Sequence, residues 1–142
     1  MPVHPLQATP DYAETAFGFL QGKGFERTER WVTGGDSFKD GWRLTYESAN
    51  TRVAIEYLDG QFDVQFARSG LAVSYFVLDR VLFNRRSGLH GNMFAPEKLG
   101  HVIDRVAADV RDHYDLTLRG DNEAWEELDR ARQQPARDRF LP

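Results

Sequence analysis

The feature that most constrains this chain is a series of three alternating apolar and polar segments joined by two short turns. Arg52 to Leu58 and Gln61 to Arg68 flank Asp59-Gly60, and Trp42 to Ser48 precedes them across Ala49-Asn50. Asp-Gly in a two-residue loop favours a type I′ hairpin, which fixes the register of its strands. We expect the Ala49-Asn50 loop to behave alike, with Asn50 accepting a positive φ.

This register predicts one apolar and one polar face for the three strands. The side chains expected opposite one another on the apolar face form the rows Trp42/Tyr57/Phe62, Leu44/Ile55/Val64 and Tyr46/Val53/Phe66. A slip of one residue would turn this whole aromatic set outward. The three strands therefore form an antiparallel meander whose apolar face is core.

The preceding segments predict a helix and one more strand. Thr9 is a suitable N-cap before Pro10, and apolar residues then recur at helical spacing, so a helix is expected from about Pro10 to Gln21. Gly22 and Gly24 end it. Phe25 to Val32 alternates like a strand and extends the meander.

The carboxy-terminal half is predicted to be mainly helical. Leu71 to Phe83 suits a short strand or turn that leads into a helix from about Ser74, and a loop follows from Asn84 to Ala95. Pro96 to Tyr114 has an apolar stripe typical of a helix packed on a sheet. Gly120-Asp121 ends one helix and caps another, in which Trp125 docks on the core.

These elements predict a single α+β domain over residues 1–142: a four- to five-stranded antiparallel meander, with an N-terminal helix and C-terminal helices packed on one face. The termini 1–9 and 136–142 are expected to be loose. The hydrophobic share of 41% in 142 residues is enough for a core.

Charge and cysteine content exclude several functional classes. Acidic and basic side chains number 22 and 18 and are interleaved, which disfavours nonspecific nucleic-acid binding. Cysteine is absent, so thiolate catalysis and Cys-ligated metals are excluded.

The sequence has no stretch that suits export or a membrane anchor, so we expect a cytoplasmic protein with no membrane partner.

The polar face of the sheet is the first candidate site. Its candidate partner-binding residues are Arg43, Thr45, Glu56, Asp63 and Gln65. Glu56 and Asp63 are expected directly opposite each other, a like-charge pair that Arg43 is placed to bridge. Such a face either is simply solvated or docks another protein. A catalytic carboxylate pair would require a cleft rather than an open sheet.

The loop from Arg85 to Asn92 is the alternative site, because it combines cations with a permissive backbone. Arg85, Arg86, His90 and Asn92 could bind an anionic small molecule, with His90 as acid or base. The other interpretation is a flexible connection whose arginines stay in water.

No metal or cofactor is predicted. His101 and His113 are too far apart on one helix to share an ion, and Asp109 with His113 supplies only an i,i+4 pair. The acidic residues Asp109, Asp112, Asp115 and Asp121 lack the loop spacing of a calcium site.

The element order, together with the passage Tyr114-Asp115-Leu116-Thr117-Leu118-Arg119-Gly120-Asp121 before Trp125 and Leu128, resembles small uncharacterised bacterial α+β proteins. Some of these are proposed to be immunity proteins of polymorphic toxin systems. The resemblance implies a stoichiometric protein binder that blocks a toxin, and it carries over no catalytic residue.

Overall fold

The structure, a computed structural model, describes residues 9–32 and 41–133. The expected loose termini lie outside these residues, apart from Thr9, and so do residues 33–40 between the first two strands. The strands are β1 (Glu26–Val32), β2 (Gly41–Glu47), β3 (Arg52–Leu58), β4 (Gln61–Arg68) and β5 (Leu71–Ser74). The helices are α1 (Pro10–Ala16), α2 (Phe19–Gly22), α3 (Tyr75–Val81), α4 (Pro96–His113), α5 (Asp115–Arg119) and α6 (Asn122–Arg132).

The five strands form one antiparallel sheet in the order β1-β2-β3-β4-β5. The predicted register is confirmed: Ile55 lies opposite both Leu44 and Val64, and the other two apolar rows align in the same way. Leu71–Ser74 is the fifth strand, and Ser74 then caps α3 by accepting a hydrogen bond from the Phe76 amide. The predicted α+β meander is therefore the observed fold.

The two hairpin turns reach the same register by different means. Asp59 and Gly60 have φ angles of 51° and 83°, as a type I′ turn requires. The prediction of a positive φ at Asn50 is wrong. The hydroxyl of Ser48 instead accepts hydrogen bonds from the amides of Asn50 and Thr51, at 3.4 and 3.1 Å, and so holds the turn without a left-handed residue.

The core lies between the apolar sheet face and the helices. The predicted stripe of α4 is buried, and Tyr114, just after it, stacks on Phe66 of β4 with ring centroids 5.2 Å apart. Trp125 of α6 is 4% exposed, and its indole N–H donates to the Thr117 carbonyl at 2.9 Å. Trp125 therefore anchors the last helix, as expected.

The first helix is interrupted, contrary to the expectation of one helix from Pro10 to Gln21. Thr9 caps α1 as predicted, but α1 ends at Ala16 and α2 begins at Phe19. Gly18 lies at the interruption, and glycine is a weak helix former because its backbone is so free in the unfolded chain. Phe17, at the interruption, and Leu20, in α2, are both fully buried in the core.

The edge strand β1 is bound to the rest of the fold by charge as well as by the ladder. All of its residues are exposed, and a bulge shifts its register between Arg27 and Glu29. Arg27 forms an ion pair with Glu14 of α1, and Arg30 forms ion pairs with Asp11 and Glu14. A bulged, charged strand resists pairing with another chain.

The opposite edge of the sheet is covered by the loop that precedes α4. The Phe62 amide donates to the Asn92 carbonyl and the Phe94 amide donates to the Gly60 carbonyl, both at 2.9 Å. This contact continues the sheet beside β4 where β5 has already ended. Within the residues described, no helix combines the length and apolarity needed to cross a bilayer.

Candidate functional site

The polar sheet face forms a broad, shallow depression of about 490 Å³. Small or uncharged side chains from the four strands β2 to β5 make its floor, among them Thr45, Ala54, Gln65, Ala67 and Ala72. Charged side chains surround this floor: Glu29, Arg43, Glu47, Arg52 and Glu56. The helices pack against the other face of the sheet, and no helix among residues 9–32 and 41–133 covers this one.

The structure brings four of the five predicted partner-binding residues together. Arg43, Thr45, Glu56 and Gln65 all line the depression. Glu56 and Asp63 are directly opposite each other, as the register predicted. Asp63 does not line the depression.

Arg43 does not bridge both carboxylates as expected. Its Nε lies 3.4 Å from Oε1 of Glu56, whereas Asp63 accepts hydrogen bonds at 2.7 Å from the Ser74 hydroxyl and at 2.9 Å from the Val64 amide. The Gln65 side-chain amide adds a third, at 3.3 Å. Ser74 could not be placed here from the sequence, because its position depends on the fifth strand. The Asp63 carboxylate is therefore engaged by hydrogen bonds within the sheet.

Burial raises the pKa of Asp63 above its ordinary value of 3.8. The hydrogen bonds from Ser74, Gln65 and Val64 act in the opposite direction without reversing the shift, and the charge of Glu56 adds to it. The charge of Glu56 opposite Asp63 is therefore one of the causes that raise the pKa of Asp63, after burial.

Trp31 also lies on the polar face, a position that strand alternation did not predict. Trp31 is 42% exposed and sits opposite Arg43, whose guanidinium carbon is 5.6 Å from the centroid of the indole ring. Arg27 lies opposite Tyr46 on the core face. If β1 had no bulge after Arg27, Trp31 would lie opposite Trp42 on that same core face. The extra residue, Thr28, moves it to the polar face, and only the weak alternation of Glu26 to Arg30 hinted at such an irregularity.

The candidate ligand-binding residues of the loop after α3 do not all lie together in the structure. Arg85 and Asn92 line a small hollow of about 210 Å³ beside Asp79, but Arg86 and His90 do not line it. Arg86 instead donates from Nε to Asp109 of α4 at 2.7 Å, and its guanidinium lies 4.3 Å from the centroid of the Phe83 ring. The four predicted ligand-binding residues therefore do not converge.

A buried polar network fixes this loop to the helices. Asp109 also accepts a hydrogen bond from the Tyr75 hydroxyl at 2.7 Å. Asp79, buried at the end of α3, accepts bonds from the hydroxyl and amide of Ser87 at 2.6 and 3.1 Å. The loop is thus held by specific contacts instead of being a loose connection, and Arg86 is ion-paired with Asp109 although it remains exposed.

Burial, reinforced by nearby Asp109, raises the pKa of the Tyr75 and Tyr114 hydroxyls. Burial is the largest single effect on Arg86 and lowers its pKa, but the hydrogen bond to Asp109 and the attraction of the Asp109 charge together leave the pKa raised. Both tyrosines therefore stay protonated and Arg86 stays charged. This network ties Tyr75 of α3 and Arg86 of the loop to Asp109 of α4.

No group of three or more histidine, aspartate or glutamate side chains is placed to hold a metal ion within residues 9–32 and 41–133. Asp109 is occupied by Tyr75 and Arg86, while His113 is exposed. Comparison with known protein families, curated proteins and solved structures gave no match for this chain.

Proposed function

We propose that this chain is a noncatalytic protein-binding domain and that its partner docks on the polar sheet face. The observation that carries the proposal is the exposed Trp31 beside Arg43, at the margin of an open depression with a floor of small side chains. Tryptophan and arginine are the residue types most enriched at the energetic centres of protein interfaces. A floor made mostly of threonine and alanine side chains lets a partner approach the sheet closely.

The shape and polarity of the face fit a macromolecular partner better than a small substrate. A small-molecule site is usually an enclosed, mainly apolar cavity in which a few polar groups converge. Here the charged groups surround an open surface, and Glu56 is paired with Arg43. Charges of both signs provide selectivity and a fast association rate.

A stoichiometric antagonist of a toxin, acting in the cytoplasm, is the specific form of this proposal. The resemblance to immunity-type proteins favours it, and a rigid face with fixed charges is all that such a blocker requires. The alternative, an anionic ligand at the loop from Arg85 to Asn92, has less support because Arg86 is bound to Asp109.

The test is affinity capture of partners from the native host with wild-type protein and the double variant Trp31→Ala/Arg43→Ala. The matched control is Leu116→Ala/Arg119→Ala on α5, which also removes one exposed apolar side chain and one arginine. Each captured protein is then purified and tested for an equimolar complex by light scattering and calorimetry.

We expect the wild type and the α5 control to bind the same partner, and the sheet variant to lose at least about ten-fold in affinity, as loss of an interface hot spot does. Equal binding by both double variants would exclude the sheet face. If no protein forms an equimolar complex with the wild type, the binding function itself is contradicted.

A further inference from the structure

We propose that the partner contacts this face with a basic, lysine- or arginine-bearing protein surface. The inference rests on the proposed function and specifies it. Its basis is the charge of the polar face, which differs from the nearly balanced charge of the chain as a whole.

Carboxylates exceed cations on the polar face. The strand register places these acidic side chains on it: Glu26, Glu29, Glu47, Glu56 and Asp63. Arg43 and Arg52 are the only cations among the described residues of the strands that share the face. Since Asp63 is turned into local hydrogen bonds, the carboxylates open to a partner are the glutamates.

One corner of the face holds a like-charge pair that the fold does not relieve. Glu26 of β1 and Glu47 of β2 lie directly opposite each other, and both are exposed. Neither forms an ion pair with a described residue, although Arg52 lies opposite Glu47 on its other side. Like charges opposed across strands destabilise a sheet. A cation supplied by another molecule would remove this cost.

The remaining groups of the face leave that corner acidic. Arg43 is shared between Glu56 and the ring of Trp31. Glu29, next to the corner, accepts a hydrogen bond at 2.7 Å from the Thr45 hydroxyl, which holds its carboxylate at the depression. Trp31 follows on the same strand face, so a cationic side chain could contact the glutamates while an apolar neighbour packs on the indole.

The same charges disfavour a second copy of the chain as the occupant. Two identical acidic faces brought together would repel, since a two-fold interface opposes a surface with itself. Pairing along the edge of β1 is disfavoured too, because the bulge and the arginines bound to α1 interrupt that edge.

The test uses a short oligo-arginine peptide as the probe and the charge reversal Glu29→Lys/Glu47→Lys. The control Glu123→Lys/Glu127→Lys changes net charge equally but lies on exposed positions of α6. Binding is measured by calorimetry at low and at raised salt, and by amide and indole shifts in NMR spectra. An oligo-glutamate peptide is the negative probe.

We expect shifts confined to β1, β2 and the Trp31 indole, with binding weakened about ten-fold or more by the sheet reversal and much less by the α6 reversal. Equal weakening by both reversals would show that only net charge attracts the peptide, and would overturn the inference. Self-association that the sheet reversal abolishes would overturn it in favour of a second copy.

The same two reversals are then applied to any partner captured in the earlier test. Loss of that partner by Glu29→Lys/Glu47→Lys alone supports a basic contact surface. A partner that needs Trp31 and Arg43 but tolerates the glutamate reversal would leave the binding function intact and refute its basic character. The two proposals can therefore fail separately.

Discussion

The two faces of the sheet use the same strands for opposite purposes. On the core face, Leu44, Ile55 and Val64 form a continuous row that is fully buried beneath the helices. On the other face, the adjacent row of Thr45, Ala54 and Gln65 is the floor of an open depression. One face therefore sets stability, while the other is free to vary its charges and contacts at little cost to folding.

Substitution of neighbours on β4 gives the largest expected contrast between the faces. Phe66→Ala removes a fully buried ring stacked on Tyr114 and should cost about 3–5 kcal/mol of unfolding free energy. Gln65→Ala, on the polar face, should cost less than about 1 kcal/mol. Urea unfolding followed by circular dichroism measures both. Comparable losses would mean that the polar face also supports the fold.

Substitutions in the two hairpin turns should give the second-largest difference in stability. Gly60→Val forces a β-branched residue to a φ of 83° and should destabilise the domain by about 1–3 kcal/mol. Asn50→Ala should be nearly neutral, because Asn50 does not adopt a positive φ and Ser48 holds that turn. An unchanged urea midpoint for Gly60→Val would contradict the type I′ assignment.

The contrast between these turns shows what the sequence could and could not predict. Alternation and the Asp59-Gly60 turn were enough to place Ile55 opposite Val64 and Leu44, because a period of two has only two possible faces. The same reasoning failed at Trp31, where one bulged residue exchanges the faces. It failed also at Arg86, whose partner Asp109 is distant in sequence and becomes adjacent only through tertiary packing. Local pattern therefore predicts faces, but side-chain pairing depends on the assembled core.

Asp63 provides a pH test of the polar face. Because burial raises its folded-state pKa above the unfolded value, folding favours the protonated acid, and its contribution to stability is greatest below the unfolded pKa. That contribution is lost as pH rises from 3.8 through the folded-state pKa. Asp63→Asn cannot ionise, so the stability of wild type relative to this variant should fall over that range.

Urea midpoints of both proteins, measured from below that pH to neutrality, follow this difference. Glu56→Gln is the companion variant, because removing the opposed charge should reduce the shift at Asp63. If the stability of wild type relative to Asp63→Asn instead rises with pH, the hydrogen bonds from Ser74 and Val64 dominate over burial.

Trp31 of β1 gives the smallest expected effect on stability, and Trp42 of β2, on the opposite face, is its internal reference. Trp42 is 3% exposed on the core face, and Trp42→Ala should cost about 3–5 kcal/mol. Trp31 is 42% exposed and contacts Arg43, a cation–π interaction worth about 0.5–1 kcal/mol at such a site. Trp31→Ala should therefore leave the free energy of unfolding almost unchanged. It should remove the part of the intrinsic fluorescence that acrylamide quenches most readily, since Trp42 and Trp125 are both buried.

Trp31→Phe is the control that keeps an aromatic ring beside Arg43 and removes the same signal. A large loss of stability in Trp31→Ala, or quenching that persists in both variants, would place Trp31 in the core and withdraw the anchor on which the binding face depends.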